Sequence, residues 1–90
     1  MGTLRRAAKQ DANAAELVEY ARNLGMTVDY IGLPVDLLVG HNGTFYPVEI
    51  KGKNGKYTKE QERFMRQCIK YNLPFVTWRS KEDIDRFMGR

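Results

Sequence analysis

Cysteine and histidine are nearly missing from this chain, with one of each in 90 residues, Cys68 and His41. A lone cysteine excludes an internal disulfide framework and a CxxC zinc site, and a lone histidine excludes a multi-histidine metal cluster. In its helical context Cys68 reads as a small buried hydrophobe. Long hydrophobic runs are missing too. The longest are far too short to span a bilayer, and no secretory hydrophobic segment follows Met1. Met1-Gly2 has Arg6 where myristoylation prefers Ser or Thr. There is no repeat, low-complexity stretch or linker. These absences describe a cytoplasmic chain with no membrane segment. It is expected to form a single domain over 1–90, with a flexible basic arm over 1–10 that carries Arg5, Arg6 and Lys9.

What is present is ordinary in amount and informative in order. Apolar residues make up 42%, charged residues 29%, and the net charge is +4 with pI near 9.4. That basic excess suits a polyanionic partner. Asn42-Gly43 lies between the apolar runs Val35 to Gly40 and Phe45 to Ile50, a strong hairpin signal because both turn residues must take φ > 0. A two-residue loop pairs His41 with Thr44, Val39 with Tyr46, Leu37 with Val48 and Asp36 with Glu49. The alternation makes Asp36 and Glu49 a non-hydrogen-bonded pair on one face, with Cα atoms roughly 4.5 Å apart. Pro47 falls opposite Leu38 at a non-hydrogen-bonded position, so its missing N–H points away from Leu38 and the hairpin survives.

Around the hairpin, Asp11 or Asn13 is expected to cap a first helix with Leu17, Tyr20, Ala21 and Leu24 inward, ending before Gly25. Thr27 to Ile31 reads as a strand. Thr58 opens a second helix with Phe64, Met65, Cys68 and Ile69 inward. Leu73 to Trp78 reads as a strand, and Ser80 caps a last helix carrying Ile84, Phe87 and Met88. The fold class is mixed α/β. It has an αβββαβ(α) core, a mixed four-stranded sheet flanked by helices, with a right-handed crossover to the last strand.

Two carboxylates held together repel unless something positive lies between them. Mg²⁺ or Mn²⁺ fits, since hard cations take oxygen ligands and retain several waters. Lys51 shares the Glu49 face by period two, where it can position or deprotonate a water or offset charge building on phosphorus. The chemistry implied is metal-assisted phosphodiester hydrolysis. The competing reading is an exposed polar face held by a Glu49–Lys51 contact. Glu16 borders the inward stripe of helix one and Gln61 opens helix two. Either can reach the site, and either can serve its own capping box, Asn13 to Glu16 or Thr58 to Gln61. Lys53 and Lys56, in the loop after the site, are the natural phosphate contacts. Tyr57 and Phe45 are placed near the site, whereas Trp78 and Tyr20 read as core.

At these residues the chain resembles the PD-(D/E)XK nucleases, and more narrowly the small stand-alone VRR-NUC-type domains of phages and prophages. The resemblance runs through Arg5-Arg6-Ala7-Ala8-Lys9, Asp11-Ala12-Asn13 leading to Glu16, and Pro34-Val35-Asp36-Leu37-Leu38-Val39-Gly40. It continues through Val48-Glu49-Ile50-Lys51-Gly52 and Thr58-Lys59-Glu60-Gln61 to Arg79-Ser80. It implies a metal shell of Asp36, Glu49, the Ile50 backbone carbonyl and Glu16, with Lys51 and Gln61 completing a catalytic set with the acids. The usual adjacent Pro-Asp is interrupted here by Val35, a local shift at the start of the strand. The resemblance implies a Mg²⁺- or Mn²⁺-dependent endodeoxyribonuclease of phage, prophage or host cell. Its expected substrate is branched DNA such as four-way junctions, and it is expected to act as a homodimer with no small-molecule cofactor. The alternative is a non-catalytic nucleic-acid-binding module on the same fold.

Overall fold

The computed structural model describes residues 12–90. Helix α1 (Ala12–Asn23) leads into β1 (Thr27–Tyr30), β2 (Leu37–His41) and β3 (Thr44–Ile50). Helix α2 (Lys59–Lys70), β4 (Val76–Trp78) and α3 (Lys81–Phe87) follow. The sheet order is β1-β2-β3-β4, antiparallel except for the parallel β3–β4 pair. The expected mixed α/β architecture is therefore present.

The hairpin forms in the anticipated register, from His41 opposite Thr44 to Leu37 opposite Val48. Asn42 and Gly43 have φ of 53° and 76°, as a type I′ turn requires. Pro47 sits opposite Leu38, one residue before the β3–β4 ladder begins at Val48 and Val76, so no ladder bond is lost at its nitrogen.

The sheet separates two chemistries. Ala14, Leu17, Val18 and Ala21 of α1 join Val28, Leu37, Val39, Val48, Ile50, Trp78 and Ile84 in one buried cluster. Trp78 is thus core, and Tyr20 packs half-buried against it while its hydroxyl donates to Asp85 Oδ1 at 2.7 Å. Since strand side chains alternate, Asp36, Leu38, Pro47, Glu49 and Thr77 face the other way, toward α2. At the end of α1, Gly25 (φ +99°) allows its own N–H to reach the Arg22 carbonyl and the Met26 N–H to reach the Ala21 carbonyl.

Several local expectations are corrected. Asn13 lies inside α1 and cannot be its N-cap, so the Asn13–Glu16 capping box does not form; Asp11 lies outside the described residues. Ile69 is 76% exposed because α2 buries only Cys68 and half-buries Phe64 and Met65. Leu73 precedes β4 and is exposed, and Ile31 falls just beyond β1. Phe45 stands beside the turn, four residues from Glu49 and hence about 13 Å away along the strand.

Candidate active site

Among the described residues, Glu49 is the one charged side chain that is buried, at 2% exposure. Its neighbours Val48 and Ile50 belong to the core, so alternation sends Glu49 through the sheet to the α2 side. Asp36 stands just before β2, its backbone fixed by the N–H groups of Ile31 and Gly32, which donate to its carbonyl at 2.9 and 3.3 Å. The two acids are cross-linked through the backbone rather than simply opposed. The Asp36 N–H donates to Glu49 Oε1 at 3.2 Å, and the Ile50 N–H donates to Asp36 Oδ2 at 2.9 Å. Each carboxylate therefore meets an N–H dipole from the partner segment, which softens the repulsion.

Two side chains complete the surroundings of Glu49. Lys51 Nζ lies 3.6 Å from Oε2, with the lysine side chain only 13% exposed. Gln61 Nε2 donates to the same oxygen. Gln61 also completes the capping box of α2. Its Oε1 accepts from the Thr58 N–H at 2.9 Å, while Thr58 Oγ1 accepts from the Gln61 N–H at 3.2 Å. The cap and the site contact are compatible because the amide uses a different atom for each. Burial pushes the Glu49 carboxyl up to about 7; the nearby Asp36 charge adds to this and Lys51 opposes it.

The donor set suits a hard divalent cation. Two carboxylates of adjacent segments face one side, and a strand directs the Ile50 carbonyl to the same side as the N–H that reaches Asp36. Glu16 is not brought to them. It is 67% exposed and faces Lys81, whose Nζ is 3.9 Å away. Among the described residues no group of three or more His, Cys, Asp or Glu could hold a metal ion. Lys53 and Lys56 are exposed in the loop after Lys51, while Arg5, Arg6 and Lys9 lie outside the described residues. At the opposite end of the hairpin an open cleft is lined by Leu24, His41, Phe45 and Met88, with no carboxylate or lysine among the described residues that line it.

Sequence patterning alone does not reveal the part played by Arg79. Its Nη1 donates to the carbonyls of Gly52 (2.7 Å), Gly55 (2.9 Å) and Lys53 (3.5 Å), tying the post-site loop to the end of β4. Period-two spacing from Thr77 was the available signal, since it puts Arg79 on the Glu49 face. The β3–β4 register that makes this matter, Glu49 opposite Thr77, is a tertiary pairing.

The fold and site together define a mixed α/β domain in which a buried Glu49 meets the half-buried Asp36 and Lys51 at the open end of a hairpin. No protein-family model matches the chain, and no curated protein matches its sequence. A solved structure described as a VRR_NUC domain has the same fold, with a TM-score of 0.70 and 24% identity over 89% of this chain and 98% of that one. The chain therefore has the VRR_NUC fold.

Among the described residues no helix is long and apolar enough to cross a membrane.

Proposed function

We propose that this chain is a divalent-metal-dependent DNA endonuclease. The observation that carries the proposal is the burial of Glu49 against Asp36 beside a nearly buried Lys51. Burying an acid beside a second acid is costly, and a bound cation offsets that cost. The shared fold with a VRR_NUC domain supports the same reading.

Asp36, Glu49 and the Ile50 carbonyl would hold Mg²⁺ or Mn²⁺, which when bound supplies Lewis-acid stabilisation of the phosphoryl oxygens and a more acidic water. Gln61 and the Asp36 N–H fix the orientation of the Glu49 carboxylate. Lys51 places its ammonium where water attacks phosphorus, offsetting the developing negative charge. As the P–O3′ bond breaks, the products are a 5′-phosphate and a 3′-hydroxyl. Lys53 and Lys56 contact flanking phosphates, with Arg5, Arg6 and Lys9 extending that contact. Branched DNA is the preferred substrate in this proposal, and a symmetric homodimer would cut both strands of a junction. Glu16 acts in the metal shell only if it leaves Lys81.

Labelled four-way, flap, duplex and single-stranded DNA, offered with Mg²⁺, Mn²⁺ or EDTA, tests the proposal. Wild type should cut in either metal and not in EDTA, and Lys51→Ala should lower the rate by about 10³-fold. Equal cutting by Lys51→Ala, or cutting in EDTA, overturns the mechanism. DNA binding without cleavage under every condition would establish the non-catalytic module instead.

A further inference from the structure

We propose that Arg79 and Tyr57 are positioning residues that hold the loop 52–57 closed over Lys51 and thereby fix the direction of its ammonium. The kinetic consequence rests on the nuclease reading; the positioning itself does not. Lysine has a flexible four-carbon stem, so its charge occupies one place only when its surroundings confine it. Here three neighbours do so. Glu49 Oε2 lies 3.6 Å from Nζ on one side, and the Tyr57 ring centre lies 5.7 Å from Nζ. A Cβ added to Gly55 would stand 3.5 Å from Lys51 Cδ and 3.3 Å from the Gly52 nitrogen, so the loop backbone runs directly against the lysine stem.

Both confining loop elements are anchored to the end of β4. The Tyr57 hydroxyl and Thr77 Oγ1 share a hydrogen bond of 2.6 Å, and the ring also meets Phe75 edge-on at 6.4 Å. The Arg79 guanidinium lies 6.0 Å from the same ring while spanning the three loop carbonyls. Arg79 is itself held, because its N–H donates to Asp83 Oδ2 at 2.7 Å, next to the Ser80 cap of α3. All three carbonyls are reached through Nη1 alone, while the planar guanidinium also lies over the Tyr57 ring, a stacking contact that lysine's compact ammonium on its shorter stem does not reproduce. A closed loop also keeps Lys53 and Lys56 together on the approach to the site, so Arg79 influences both the lysine and the flanking charges.

Two readouts test this on the full chain. Acylation of lysines by an amine-reactive ester, quantified by peptide mass spectrometry, should rise several-fold at Lys51 in Arg79→Ala and in Arg79→Lys. Exposed Lys59 and Lys70 should be unchanged. Arg79→Lys retains charge and serves if Arg79→Ala does not fold. Tyr57→Leu should raise labelling more than Tyr57→Phe, which retains the ring. In single-turnover cleavage at saturating DNA, Arg79→Lys should lower the rate about 10- to 100-fold. The same substitution in a Lys51→Ala background should change it less than about twofold, because both substitutions remove one function.

Unchanged Lys51 labelling, or rate losses that multiply in the double variant, overturns the proposal. If wild type cuts no DNA, the nuclease reading fails and the labelling result alone decides the positioning role.

Discussion

Helices α1 and α2 each have 12 residues, yet they serve the molecule in opposite ways. Helix α1 buries Ala14, Leu17, Val18 and Ala21 in the main core. Helix α2 separates polar from apolar residues more sharply around its axis, but buries only Cys68 and leaves Ile69 in solvent. Its value lies at its first turn, where Thr58 fixes Gln61 and Gln61 fixes Glu49. An amphipathic pattern shows that a helix has a face; it does not show how much of that face the fold will cover.

Paired truncations put that contrast under the greatest strain. Leu17→Ala should cost about 2–5 kcal/mol of unfolding free energy, as for other fully buried leucines. Ile69→Ala should stay within about 0.5 kcal/mol. Chemical denaturation measures both, and comparable losses would mean that α2 is covered as fully as α1.

The α2 side of the sheet should also carry a pH signature near neutrality, set by Glu49. Glu49 titrates near 7 in the folded chain against an ordinary 4.5, so between these values the folded state binds more protons than the unfolded one. Stability is then present below about pH 4.5 and is lost as pH rises through 7, by on the order of 3 kcal/mol. Thermal melts in EDTA from pH 5 to 8 should fall accordingly, and Glu49→Gln should flatten the profile. A Glu49→Gln profile as steep as wild type would assign the slope to other groups.

The smallest effect separates the cap from the site. Thr58→Ala should cost about 1 kcal/mol of stability, measured by denaturation. It should lower cleavage less than Gln61→Ala, which removes the Glu49 contact itself. Equal cleavage losses would show that the first turn of α2, rather than the Gln61 amide, holds the carboxylate.

Much of this arrangement is legible in the order of the residues. Asn42-Gly43 and the flanking alternation set the register, and the register put Asp36 beside Glu49 with Lys51 on the same face. Thr58-Lys59-Glu60-Gln61 announced a capping box that forms in full. The matching pattern at Asn13 to Glu16 did not form, because α1 extends past it to Ala12 and leaves Asn13 without a cap's backbone. Glu16 consequently stands beside Lys81 rather than the acid pair. The resemblance that assigned Glu16 to the metal shell depends on a long-range approach that helical spacing cannot report.

Local chemistry along the chain dictates the hairpin, the shared face of its acids and lysine, and the starts of the last two helices. Those features depend on φ preferences, period-two alternation and side chains reaching three residues along the chain. The burial of Glu49, the reach of Gln61 to it and the closing of the loop over Lys51 by Arg79 arise from long-range packing. Each of those depends on how β3, α2 and β4, well separated in sequence, come together in space, and desolvation of a carboxylate exists only once they have.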